Sequence, residues 1–287
     1  MRRAGGLQIL KAGALERQAW LVHGFSTCGG GHSVLDGQRV LNLGRVKWDP
    51  SANVAANRTQ FLAGLGAGPP RRAELVTLRQ IHSDVVQVVT EAPAREPRGD
   101  AAITSTPGLV LAVQTADCVP VLLADTRRRA VAAVHAGWCG TLARIVEKTL
   151  GAMRMRFVTR AADVLAALGP GIGRCCYTVG IEVVQQFHAQ FEKAAEWFEG
   201  PFERLVQDDS PNPLQWLNRM PPGHQPPPPT AQLDLAAANR WQLLEVGVPE
   251  RNVTLCELCT ACRTEIFFSH RRERGRTGRM MGVIGIV

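Results

Sequence analysis

Three side chains in this 287-residue chain combine ligand chemistry with unusual local sequence. They are His82 in Gln80-Ile81-His82-Ser83-Asp84, Cys118 in Thr115-Ala116-Asp117-Cys118-Val119-Pro120, and His135 in Val134-His135-Ala136-Gly137-Trp138. Imidazole nitrogen and thiolate sulfur are ligands of zinc, and three protein ligands leave the fourth tetrahedral position open, the arrangement of catalytic zinc. Cys118 and His135 each lie in or at the end of an apolar run, and the polar stretch Asp125-Thr126-Arg127-Arg128-Arg129 separates the runs. That pattern predicts a β-hairpin. A two-residue loop at Thr126-Arg127 sets Cys118 directly opposite His135, and a longer loop shifts the register by a residue or two while leaving the side chains close. The competing reading is a cysteine that only fills a core, because Cys is among the most buried residue types.

Residues 75–78 and 85–89 read as strands flanking His82, which places its imidazole at a strand end or in a loop. Segments 101–104, 110–115 and 121–124 continue a β-rich middle, and 164–168, 252–255 and 281–287 read as later strands. Asp49-Pro50-Ser51 starts a helix over 52–65, and further helices are predicted over 142–155, 183–198 and 234–247. Gly137-Trp138-Cys139-Gly140-Thr141 runs from a metal ligand straight into a helix start, where backbone N–H groups face an anion. The plainer reading of that bend is a strand-to-helix turn. Strands and helices do not alternate regularly, so the fold class is α+β rather than a doubly wound sheet.

Composition narrows the function. Hydrophobic residues make up 45% of the chain and charged residues 20%, enough to bury a sizeable core. No apolar run approaches the ~20 residues that span a bilayer, and Met1-Arg2-Arg3-Ala4-Gly5-Gly6 lacks the apolar stretch of a secretion signal. Eight cysteines are too sparse for a disulfide scaffold and predict reduced thiols and a cytoplasmic protein. The net charge of +8 does not predict nucleic-acid binding, since the arginines are scattered and no aromatic series interleaves with them. A basic field instead favours an anion such as phosphate. Cys256-x-x-Cys259-x-x-Cys262 has metal-ligand spacing but no evident fourth ligand unless Cys175 or Cys176 comes close in space, and the adjacent Cys175-Cys176 otherwise reads as structural. Residues 207–230 hold eight prolines and read as a tolerated surface insert rather than a docking site for a proline-binding protein.

Several of these segments resemble one family. Gln80-Ile81-His82, Thr115-Ala116-Asp117-Cys118-Val119-Pro120-Val121, Ala133-Val134-His135-Ala136-Gly137-Trp138, Leu168-Gly169-Pro170-Gly171-Ile172-Gly173, Cys259-Thr260, Phe267-Phe268-Ser269-His270-Arg271-Arg272 and Gly278-Arg279 are similar to the signature of the laccase-domain, or multicopper polyphenol oxidase-like, family. That family is now viewed as purine nucleoside phosphorylases. The resemblance runs from about His23 to the C-terminus. It implies a mixed β-sandwich-like core flanked by helices, in a single catalytic domain over 1–287 with the proline-rich insert inside it. It also implies one zinc on His82, Cys118 and His135, and phosphorolysis of adenosine, inosine, guanosine and methylthioadenosine, with adenosine deamination as a companion activity. By motif match Arg58 in Asn57-Arg58 is the expected phosphate ligand, and Asn42 in Leu41-Asn42-Leu43-Gly44 orients a loop or meets substrate. Two positions depart from the family: Cys139 and Cys28 stand where it usually carries arginine. Their joint replacement predicts that the two positions are neighbours near the metal, and it weakens the phosphate assignment.

Three other readings remain at this level. A multicopper phenol oxidase wants around ten His and Cys ligands in His-x-His pairs, whereas this chain has seven histidines and no such pair, so copper is the less favoured metal. A hydrolase with Cys118 as nucleophile and His82 or His135 as base, of the kind that edits cell-wall precursors, needs no metal. A non-enzymatic zinc-binding protein is supported only by the proline-rich insert.

Overall fold

The computed structural model describes residues 2–68, 73–202 and 229–287. The chain divides into two compact units, Met1–Gly173 with Leu235–Val287, and Arg174–Asp234. The first unit contains strands β1 (Arg2–Ala4), β2 (Leu7–Leu10), β3 (Leu21–Ser26), β4 (Gly29–Leu35), β5 (Gln38–Val40), β6 (Glu74–Thr77), β7 (Val86–Val88), β8 (Ala101–Thr104), β9 (Leu109–Thr115), β10 (Val119–Asp125), β11 (Ala130–Ala136) and β12 (Val164–Leu168). The second holds β13 (Thr178–Gly180), β14 (Phe198–Phe202) and β15 (Thr230–Leu233), and the chain returns to the first for β16 (Val253–Leu255) and β17 (Met280–Ile286). Helices are α1 (Gly13–Glu16), α2 (Ser51–Gly64), α3 (Trp138–Leu142), α4 (Ile145–Phe157), α5 (Ile181–Gln190) and α6 (Leu235–Glu245).

Two six-stranded mixed sheets form the first unit, in the orders β1-β2-β3-β17-β9-β6 and β16-β12-β10-β11-β8-β7. They face each other across one apolar layer in which Phe25, Leu111, Val113 and Ile284 of one sheet meet Ala102, Leu122, Ala124, Val131 and Ala133 of the other. Both faces of the central strands are covered, so they read as unbroken apolar runs rather than as alternation. Alternation survives in where each side chain goes. Leu111 and Val113 point between the sheets, while Val110 and Ala112 point outward to Phe61 and Leu65 at helix α2. Helix α4 packs against β11 and β8, and α6 against β12 and β16. The α+β sandwich flanked by helices is therefore the observed fold. Truncating a fully buried leucine such as Leu122 in the shared layer costs about 2–5 kcal/mol.

Two local expectations change. The helix read over 142–155 is two helices, because Arg144 adopts a left-handed conformation (φ 60°) between α3 and α4. The helix read over 183–198 stops at Gln190, where Phe191 turns extended. Its ring then packs on Trp197 at 5.2 Å, beside Phe187, so aromatic burial overrides helix propensity. The hairpin takes the longer of the two loops that the sequence allows, as described below. The proline-rich stretch 207–230 lies, except for its last two residues, outside the described residues. Among the described residues no helix is long and apolar enough to cross a membrane.

His23, on central strand β3, is 2% exposed and accepts the Ala12 N–H at Nε2 (3.0 Å). Burial, reinforced by the Lys11 charge, holds its pKa down to about 3. The fold keeps it neutral, whereas the unfolded chain protonates it below about 6.5. Its contribution to stability is therefore complete above pH 6.5 and is lost as pH falls from there toward 3. We expect the melting temperature of the wild type to fall more steeply between pH 7 and pH 5 than that of His23→Gln; parallel curves would contradict this role.

Candidate metal centre

Strands β10 and β11 pair from Val119↔Ala136 to Asp125↔Ala130, so the hairpin loop is the four residues 126–129. Asp125 selects it: Oδ1 accepts the N–H groups of Arg127 and Arg128, both at 2.9 Å, and Arg129 closes the turn at φ 49°. The longer loop puts Pro120 opposite His135. Continuing that register, Cys118 falls opposite Gly137 rather than opposite His135. A Cβ at position 137 would stand 3.0 Å from the Cys118 sulfur and 3.2 Å from His82 Cδ2, so a side chain there would crowd both ligands. The ligand atoms of His82, Cys118 and His135 all lie within 4.8 Å of one another. The imidazoles of His82 and His135 meet edge to face with centroids 4.9 Å apart. His135 is buried and His82 is exposed, so the cluster opens to solvent on the His82 side.

The residue that assembles the cluster is Asp100, which the sequence reading missed. It is fully buried just before β8. Its Oδ1 meets His135 Nδ1 at 2.8 Å and accepts the His82 N–H at 3.0 Å. Its Oδ2 accepts the N–H groups of Ile81 (3.2 Å) and Ser83 (2.7 Å) and the Ser83 hydroxyl (2.7 Å). Its carbonyl accepts the His135 N–H at 2.7 Å. These bonds hold His82 in a left-handed conformation at φ 56°, unusual for a non-glycine residue. Arg98-Gly99-Asp100 forms no recognisable motif; the one available signal was a carboxylate placed directly before the buried strand 101–104.

Burial opposes charge on Cys118, but the His135 charge and hydrogen bonds from His135 and His82 outweigh it and pull the thiol below its usual range. Burial likewise opposes charge on His135, and the Cys118 thiolate and Asp100 carboxylate overcome it and push the imidazole up. Asp100 is held below the usual carboxylate range by His135 and Ser83 against its own burial. Without a metal the three groups thus each favour the charged form of the others. Asp117, in a strained conformation at φ 97°, turns its carboxylate to the Thr260 hydroxyl and the Arg271 N–H, both at 2.7 Å.

The other residues singled out from sequence lie at distinct places. Cys139, in α3, is near enough for the charges of Cys118 and Asp100 to raise its thiol pKa, after the larger effect of burial. Cys28 sits in an apolar cluster with Phe267, Phe268 and Met280; burial pushes its thiol up to about 11, and the neighbouring charges are Glu273 and Glu265. Asn42 is wholly buried and bonds both to Gly44 (2.9 Å to O, 3.2 Å from N) and to Asp49 (2.6 Å). Arg58 donates Nε to the Leu43 carbonyl at 2.8 Å and leaves Nη2 buried without a partner. Its charged neighbours are Glu96 and Arg45. Cys259 pairs with Gly171 in an isolated parallel bridge and accepts the Gly173 N–H at 3.2 Å, while burial pushes the Cys256 thiol up.

A two-sheet sandwich carrying a His-Cys-His cluster beside its central hairpin is the architecture of one known family. The family model described as "Multi-copper polyphenol oxidoreductase laccase" matches residues 22–287, and the chain belongs to this family. It is 37% identical over 284 residues to "Purine nucleoside phosphorylase" of Deinococcus radiodurans, covering 99% of this chain and 94% of that one. It is 33% identical over 254 residues to "Purine nucleoside phosphorylase YlmD" of Geobacillus stearothermophilus, covering 85% and 83%. The crystal structure of YlmD from Geobacillus stearothermophilus superposes with a TM-score of 0.78 at 30% identity, covering 100% of this chain and 98% of that one.

In chelator-treated protein, Asp100→Asn removes the charge that supports imidazolium at His135. We expect Cys118 to react with iodoacetamide at pH 7 several-fold more slowly than in the wild type. An unchanged rate in a variant with an unaltered melting temperature would contradict the assigned role of Asp100.

Proposed function

We propose that the chain is a zinc-dependent purine nucleoside phosphorylase that takes adenosine, inosine, guanosine and methylthioadenosine with phosphate, and deaminates adenosine as a companion activity. The carrying observation is the three-ligand cluster, oriented by a buried carboxylate, in a chain that shares most of its length with curated phosphorylases. The donor set fits one zinc. Two nitrogens and a sulfur within 4.8 Å of each other suit an ion whose ligands stand roughly 3.5 Å apart. Asp100 occupies His135 Nδ1, which leaves Nε2 for a metal and fixes its tautomer, the usual support of a metal-bound histidine. The seven histidines contain no His-x-His pair, which keeps copper the less favoured metal.

When bound, zinc supplies a Lewis acid and lowers the pKa of a coordinated water toward ~7. The chain's own residues supply the rest. Cys118 provides the negative ligand, His135 is locked by Asp100, and His82 stands at the exposed mouth where substrate arrives. In phosphorolysis a phosphate oxygen forms the bond to ribose C1′ while the C1′–N9 bond breaks and its electron pair leaves with the purine. The protein's contribution is to hold the two anionic partners in line and offset their charge. A reduced cytoplasm would keep the Cys118 thiol available to the site.

One observation favours a second reading. Cys118, His135 and Asp100 are arranged as a nucleophile, base and orienting carboxylate. A thiol hydrolase acting on a cell-wall precursor would use that row without metal.

Purified protein with adenosine and phosphate is expected to release adenine and ribose 1-phosphate in equal amounts, and to release neither when phosphate is omitted. Adenine release that is independent of phosphate would contradict phosphorolysis. Cys118→Ala is expected to lose most bound zinc and nearly all activity together. Activity that survives full chelation in the wild type but ends on alkylation of Cys118 would establish the hydrolase instead.

A further inference from the structure

The turn Asn42-Leu43-Gly44 carries two guanidinium groups. Arg58 reaches it from α2 and spends its Nε on the Leu43 carbonyl. Arg279 reaches it from the residue before β17. The Arg279 N–H donates to Asn42 Oδ1 at 2.9 Å, and its carbonyl accepts the Leu43 N–H at 2.9 Å. Both backbone groups of Arg279 are thus fixed by the turn. The side chain is directed as well: a Cβ at Gly44 would stand 2.5 Å and 2.6 Å from Arg279 Cβ and Cγ, and 2.6 Å from Gln114 Oε1. The absent side chain at Gly44 is what lets the arginine stem lie across the turn. Strand register gives the second coordinate. Met280 pairs with Thr115, so Arg279 stands opposite Ala116, where β9 gives way to Asp117 and the metal ligand Cys118. The nearby Gln114 main chain is docked to the His82 loop by the side-chain amide of Gln80, whose Nε2 donates to the Gln114 carbonyl (2.8 Å) and whose Oε1 accepts the Gln114 N–H (2.7 Å).

The guanidinium has spare capacity. Nη1 donates to the Gly278 carbonyl at 2.9 Å, and among the described residues no carboxylate stands within ion-pair reach. Arg279 is half-buried, and the negative groups that act on it are Cys118 and Asp117. The Asp117 carboxylate is already engaged by Thr260 and Arg271. A half-buried guanidinium without a carboxylate partner is costly, and the usual remedy is a bidentate oxyanion.

We propose that Arg279 is the residue that binds the phosphate co-substrate beside the metal ligands. The proposal rests on the phosphorolytic reading and goes beyond it by naming the group that holds phosphate. Arg58 then serves as a positioning residue that holds the Leu43–Gly44 turn, since its charged neighbours are Glu96 and Arg45 rather than the ligands of the site.

The test compares wild-type holoenzyme with Arg279→Gln, Arg279→Lys and Arg58→Gln, each checked for zinc content and circular dichroism. Arg279→Gln should raise the phosphate KM about tenfold or more while the adenosine KM stays within about twofold, and Arg279→Lys should recover part of that loss. Arg58→Gln should lower thermal stability with a smaller change in phosphate KM. A phosphate KM unchanged in Arg279→Gln would overturn the proposal. A second readout separates it from the phosphorolytic reading: the rise in melting temperature with millimolar inorganic phosphate, measured without nucleoside. If the wild type shows that rise and Arg279→Gln loses it, or Arg279→Lys shows it weakened where the glutamine variant does not fold, Arg279 is an anion site even if no phosphorolysis is detected. If the wild type shows no rise and no phosphate-dependent turnover, both the proposal and the reading beneath it fail.

Discussion

A single buried carboxylate sets the geometry on which the site depends. Asp100 is fully enclosed, and an ionised carboxylate in such a place is tolerated only when its lone pairs are met. They are met by the backbone of 81–83, the Ser83 hydroxyl and His135 Nδ1. The same bonds bring a left-handed loop residue, His82, to an imidazole on the central hairpin. Two ligands distant in sequence are joined through one anion whose position is fixed by the start of β8. Folding the sheet and assembling the cluster are in this sense one event.

The sandwich supplies the rigidity that a site of this kind needs. β10 and β11 are buried along their full lengths and are flanked on both sides by further strands. A one-residue slip in their pairing would move Leu122 and Ala133 out of the layer between the sheets, so the hydrophobic pattern pins the register. The register in turn places Gly137 across from Cys118, and the missing side chain there gives the thiol and His82 a common volume. Asp117, strained and tied to Thr260 and Arg271, anchors the C-terminal segment against the same corner.

Much of this was legible in the sequence, and the parts that were not have identifiable causes. Strand 101–104 and strand 164–168 were read with the bounds observed, because buried sandwich strands are short apolar runs between polar breaks. The trio was legible from residue type and the hairpin from its polar turn. The loop length stayed open between two residues and more, because the capping role of Asp125, accepting two N–H groups in succession, looks in sequence like any polar turn residue. Asp100 was invisible because its role rests on contacts across 17 to 35 positions of sequence, and a single carboxylate has no periodicity to betray it. Asn42 and Arg58 were noticed through motif resemblance, yet only the structure shows that they build one turn and that Arg279 shares it.

The most direct test of the central claim is the X-ray absorption spectrum of the purified protein at the zinc edge. The account predicts a zinc shell fitted by one sulfur at about 2.3 Å, two imidazole nitrogens at about 2.0 Å and one further light atom. A zinc shell without sulfur, or a purified active protein that gives no zinc edge at all, would contradict it.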